Sequence, residues 1–150
     1  MYWKIFLREN QNQQEQLGRR YMITVKISEL LNSTEVLQKL SRTDLKAKPS
    51  WKVARLLKAA DVEIQEFNDT RLKLIQKYGQ KDENGELVTD ADGNCQIIQE
   101  SVAQFSTELN ELLNADVEIN ADRIRIEDIE HLDFTPAEMS ILEPFIDFGE

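Results

Sequence analysis

Two apolar seams of one period, set either side of a polar interlude, limit what this chain can fold into more than any other feature. Leu57, Ala60, Ile64, Phe67, Arg71, Leu74 and Tyr78 recur at alternating spacings of three and four. After a stretch rich in Gly, Asn and Asp, Ile98, Val102, Phe105, Leu109 and Leu112 do the same. Two helices whose stripes share one period, joined by a connector that turns the chain, are expected to pack as an antiparallel hairpin. Ser50 caps the first helix in this reading and Gly79 ends it, with Lys46 to Pro49 as a linker, because a residue before proline is biased away from helix.

The remaining elements follow from local pattern. Ile23-Thr24-Val25-Lys26-Ile27 alternates and is β-branched, which predicts a strand with Ile23, Val25 and Ile27 facing inward. Ser28 opens a helix to about Ser41, with Leu30, Leu31, Val36, Leu37 and Leu40 as its stripe. In the connector, Asn84-Gly85 and Asp92-Gly93 are turn signals around Leu87-Val88, and Cys95-Gln96-Ile97 supplies a second short strand, predicting a small β-hairpin at the tip. Val117–Ile119 and Ile124–Ile126 alternate on either side of Asn120-Ala121-Asp122. With 23–27 they are expected to form a three-stranded antiparallel sheet. Thr135-Pro136-Ala137-Glu138 joins an N-cap, a proline at the first helical position and a capping box, so a terminal helix to about Phe145 should pack Met139, Leu142 and Ile146 on that sheet. The fold class is α+β, a single domain over 22–150. Within residues 1–21 the run Glu9 to Gln16 is polar and low in complexity, and 1–21 is read as a flexible tail or as a mis-assigned start with Met22 the true initiator.

Charge is more telling in its distribution than in its net value of −10. Residues 1–79 carry +6 and residues 80–150 carry −16. The positive part gathers in Arg42, Lys46, Lys48, Lys52, Arg55 and Lys58. A hairpin turning near 80–97 returns the acidic segment 116–150 beside that cluster, which predicts internal neutralisation. The other reading makes Glu118, Asp122 and Glu130 a free acidic face. No apolar run approaches the ~20 residues of a membrane span. The single cysteine, Cys95, rules out an internal disulfide framework and fits a reducing compartment.

No constellation of catalytic residues stands out, and the chain is read as non-enzymatic, without cofactor or metal. Asp90-Ala91-Asp92-Gly93-Asn94 resembles a calcium loop but offers Val88 and Gln99 where ligands are needed, so it reads as a turn. His131 stands alone among carboxylates and reads as a solvated loop residue. Cys95 has no activating histidine nearby in sequence. Arg71 interrupts an apolar seam and needs a carboxylate or a route to water. An antiparallel register puts Glu108 within a turn of it, with a polar contact in an oligomer as the rival reading. Trp51, beside Lys52 and Arg55, is expected to seal the core at the helix entrance, or else to stack on a nucleotide base.

The strand at Ile23-Thr24-Val25-Lys26, the run Lys48-Pro49-Ser50-Trp51-Lys52-Val53-Ala54-Arg55-Leu56-Leu57, the run Arg71 to Gly79, Asp82-Glu83-Asn84-Gly85, Pro136-Ala137-Glu138 and Leu142-Glu143-Pro144-Phe145 together resemble a family of small uncharacterised proteins of tailed bacteriophages and prophages. The resemblance spans Met22 to about Ile146. It implies a phage origin and an α+β hairpin fold, and it brings no activity with it. The functional expectation is a phage accessory protein acting through protein–protein contacts, as a homo-oligomer or within a virion or assembly complex, in the cytoplasm of the bacterial host or on the virion. The alternative is an acidic inhibitor of a host or defence nucleoprotein. Neither a nucleic-acid partner nor a membrane is expected.

Overall fold

Ile23 and Val25 build a strand, β1 (Met22–Lys26), in which exposed and buried residues alternate without a break. It pairs antiparallel with β2 (Asp116–Asn120), Ile23 opposite Ile119 and Val25 opposite Val117, so the apolar side chains of both strands share the inner face. The computed structural model describes residues 22–149, together with Arg8 and Gln11. The expected tail or mis-assigned start at 1–21 lies outside the described residues.

The chain passes from β1 into α1 (Ile27–Ser41) with no loop between. Lys26, not Ser28, is the N-cap: the Glu29 carboxylate accepts a hydrogen bond from the Lys26 N–H at 3.0 Å. Leu30, Val36, Leu37 and Leu40 form the buried stripe, while Leu31 is only half-buried. Ser33, fully buried among them, donates to the Leu30 carbonyl at 2.7 Å, which removes the penalty of an unpaired hydroxyl.

The long helix α2 (Ala47–Tyr78) starts three residues before Ser50. Pro49 lies in its first turn, where a missing N–H leaves no carbonyl unpaired, so proline does not stop the helix there. The linker is accordingly Arg42 to Lys46. Its buried positions are Pro49, Val53, Leu56, Ala60, Phe67 and Tyr78, which places Leu57 at the edge of the stripe. The helix ends at Gly79, whose φ of −71° is ordinary extended backbone. Glycine is needed there for space: a Cβ would collide with the Ile75 carbonyl and with Leu87.

The tip is not a two-stranded hairpin. Three extended segments close a ring in which the Gln80 N–H donates to Gln96 O (2.8 Å), Gln96 to Val88 O (2.9 Å) and Val88 to Gln80 O (2.8 Å). Two matching turns join them. Asp82 accepts from the N–H groups of Asn84 and Glu86, and Asp90 from those of Asp92 and Asn94, at 2.9–3.0 Å. Gly85 and Gly93 sit at φ near +80°, as the turns require. A 3₁₀ turn then leads into the return helix α3 (Val102–Leu113), none of whose residues is fully buried.

The base departs from the expected three-stranded sheet. β3 (Ile124–Arg125) pairs parallel with β4 (Ile146–Asp147) rather than antiparallel with β2. After β2 the Ala121 N–H donates to Ile119 O at 3.0 Å, and Ala121 is buried, so the chain turns inward instead of folding back along β2. Ile126 opens a 3₁₀ turn, Ile126–Asp128, rather than continuing the strand. The predicted capping box opens α4 (Pro136–Leu142), with Glu138 N–H to Thr135 Oγ1 and Thr135 N–H to Glu138 Oε1 both 3.2 Å. Pro144 ends the α-helical hydrogen bonding before Phe145, and Glu143–Phe145 is a 3₁₀ turn. Leu142 and Ile146 are buried and Met139 half-buried, as expected.

Candidate interaction site

Trp51 opens the second turn of α2, and the two residues that flank it by two positions, Pro49 and Val53, are both buried. Two positions along a helix is a rotation of about 200°. Trp51 therefore points away from the core and is 58% exposed, which overturns the expectation that it seals the helix entrance. One turn later Arg55 lays its guanidinium over the indole, 4.8 Å from the ring centre.

Trp51, Lys52 and Arg55 form one wall of a cleft of about 620 Å³. The opposite wall is Met22 at the start of β1 and Asn120, Ala121 and Asp122 at the turn after β2. The β1–β2 pairing and the inward turn at Ala121 thus carry Asp122 to the side of Lys52 and Arg55. Of the acidic residues singled out in the sequence, only Asp122 lines this cleft. Glu118 stands on the outward face of β2, and Glu130 is exposed beyond the 3₁₀ turn.

Neutralisation of the 42–58 cluster by the acidic segment is not made by direct ion pairs among the described residues. The salt bridges there are Lys39–Glu138 (2.8 Å), Lys77–Glu108 (3.6 Å) and Arg125–Glu127 (3.1 Å). Lys39 also reaches Asp133 O at 3.4 Å and lies 5.0 Å from the Phe134 ring centre, tying α1 to the start of α4. The Lys39 ammonium, followed by the Thr135 N–H, holds the Glu138 carboxyl below the usual glutamate range.

Arg71 does not pair with Glu108. Phe105 meets Tyr78 edge-on, ring centres 6.3 Å apart, and Glu108 accepts from the Tyr78 hydroxyl at 2.7 Å. That register commits Glu108 to the end of α2, with Lys77 as its cation. The Tyr78 hydroxyl and then the Glu108 charge raise the Lys77 ammonium above the ordinary lysine value. Arg71 is exposed, so water solvates its charge and no buried partner is required.

Among the described residues no group of three or more His, Cys, Asp or Glu side chains is placed to hold a metal. His131 Nε2 lies 3.3 Å from Asp44 O, and Cys95 is half-buried in the tip. The Asp90 carboxyl is lowered by backbone N–H groups, that of Asn94 first. No described helix is long and apolar enough to cross a membrane.

Met22, Asn120 and Ala121 were not singled out in the sequence as site residues, because their place in the cleft depends on strand pairing. Both tip turns are legible from Asn84-Gly85 and Asp92-Gly93, but their likeness is a further signal that the sequence reading passes over: Asp82, Asn84 and Gly85 recur eight residues on as Asp90, Asp92 and Gly93.

Comparison with known proteins adds one finding. A family profile described as "Protein of unknown function (DUF1617)" matches residues 21–139. No curated protein and no solved structure matches the chain.

Proposed function

The chain belongs to the DUF1617 family, and from that premise we propose that it is a non-enzymatic interaction protein, holding a protein partner against the Trp51 cleft. The observation that carries this reading is an indole left 58% exposed with a guanidinium stacked on it at 4.8 Å. Tryptophan and arginine dominate the binding energy of protein interfaces, and a large aromatic kept out of the core gains its burial only when a partner arrives. Cations on one wall of the cleft and Asp122 on the other give an incoming surface charges of both signs to recognise. The resemblance of the sequence to proteins of tailed bacteriophages is what supports our placing this role in a bacterial host, as an accessory to an assembly in the cytoplasm or on a virion. The nucleoprotein-inhibitor reading fits less well, since Asp122 is offset by two neighbouring cations and Glu118 and Glu130 do not line the cleft.

The test is a photo-crosslinking residue placed at Trp51 in cells that carry the gene, with the same residue at exposed Gln38 on α1 as control. A discrete adduct at position 51, its protein identified by mass spectrometry, is expected. Labelling no stronger than at position 38 would overturn the reading.

A further inference from the structure

α2 carries a second regular row that no described element covers. Trp51, Arg55, Lys58, Val62, Asp69 and Leu72 are separated by three, four or seven residues, which aligns them along one side of a helix. That side is opposite the buried row of Val53, Leu56, Ala60 and Phe67. All six are exposed, and three are large apolar groups facing water: Trp51 at 58%, Val62 at 58% and Leu72 at 52%.

The row is complementary to itself. Val62 stands at its centre, with Lys58 and Glu66 each four residues away, Arg55 and Asp69 each seven, and Trp51 and Leu72 eleven and ten. Within seven residues of Val62 the cations of this face lie on the N-terminal side and the carboxylates on the C-terminal side; Lys73, eleven residues on, falls across from Trp51, where a cation is tolerated by the indole ring. A second copy rotated by 180° about an axis through Val62 therefore sets Lys58 across from Glu66 and Arg55 across from Asp69, and the symmetry does so twice. It also lays Leu72 of the second copy against Trp51 at the mouth of the cleft. A parallel in-register pairing would instead set like charges side by side, which is repulsive.

We propose that two copies of this chain associate through the outer faces of α2, antiparallel about a two-fold axis at Val62. This rests on the reading of the chain as an interaction protein and names a second copy as the occupant that completes the Trp51 cleft. Such an interface is isologous, each copy presenting the same patch. One helix face is at the small end of specific interfaces, so the Kd is expected on the order of 1–100 μM.

Sedimentation equilibrium on the full chain tests it. The wild type should dimerise, and V62D and R55E should each raise Kd at least tenfold. The exchange R55E/D69K should recover most of the loss, because it restores opposite charges across the axis. All three substituted positions, 55, 62 and 69, are exposed, so circular dichroism should report unchanged folding. In a C95S background, V62C should oxidise to a covalent dimer far faster than a cysteine at Gln38, since only position 62 meets its own copy. A wild-type chain still monomeric at about 500 μM, or a dimer indifferent to V62D and R55E, would overturn the pairing. A monomer that still yields a Trp51 photo-adduct with another protein overturns the pairing alone and leaves the interaction reading standing.

Discussion

At the base of the molecule Ile23, Leu30, Leu37, Leu40, Leu56, Ile119, Ile124, Leu142 and Phe145 are at most 1% exposed and come from all but one of the named elements at that end. At the tip, residues 80–97 bury no side chain fully, and order comes from backbone hydrogen bonds and two aspartate-centred turns. Between them the hairpin is intermediate: Phe67 and Tyr78 are buried on α2, whereas Phe105, Leu109 and Leu112 on α3 are only half-covered. The base is stabilised by removing apolar area from water, so any lost atom there leaves a cavity. The tip is stabilised by local contacts, so damage there should stay local.

The sharpest way to break that contrast is Phe145→Ala, which should lower stability by about 3–5 kcal/mol in a urea melt. Gly79→Ala comes next, at about 1–3 kcal/mol, because the added methyl forces both Ile75 O and Leu87 to move where the hairpin meets the tip. Phe105→Ala should cost less than Phe145→Ala, about 1–2 kcal/mol, in proportion to its partial burial. An equal loss at both phenylalanines would mean that the hairpin is as well covered as the base. Asp90→Ala should leave the global urea midpoint in place while hydrogen exchange quickens at the N–H groups of Asp92 and Asn94. A shifted midpoint would show that the tip is not autonomous.

At Glu138 the effect is expected only on the acid side of the pH profile. Its carboxyl is lowered in the folded chain, so the unfolded chain binds the proton more readily and folding is favoured wherever the carboxylate is ionised. That contribution is present at neutral pH. It is lost as pH falls from the ordinary glutamate range through the lower folded value. Glu138→Gln should flatten the acid side of the stability profile across that window and leave the slope at higher pH unchanged; an unchanged acid limb would contradict the Lys39–Glu138 clamp.

How much was legible depends on how far each feature reaches along the chain. β1, α1, α2, α3, the two connector turns and the Thr135 capping box were all placed from neighbours within about one helical turn or one strand, since periodicity and capping are local. Even the errors at helix starts were local ones, such as the role of Pro49. Pairing was another matter. Ile124–Ile126 alternates as a strand should, but its partner at Ile146–Asp147 was chosen by the buried turn at Ala121, which no pattern near Ile124 encodes. Glu108 could have met Arg71 or Tyr78, and only the register of α3 along α2 decided for Tyr78 and Lys77.

The site divides the same way. The sequence by itself determined that Trp51, Lys52 and Arg55 share the first turns of one helix, because helical spacing is a property of consecutive residues. Only the tertiary structure decided that Pro49 and Val53 take the core side and leave Trp51 in water, and that β1–β2 pairing brings Met22 and Asp122 across from it. Which face of a helix is buried, and what stands opposite the exposed one, are set by packing between segments far apart in the chain. The energy of that packing depends on all the participating elements together.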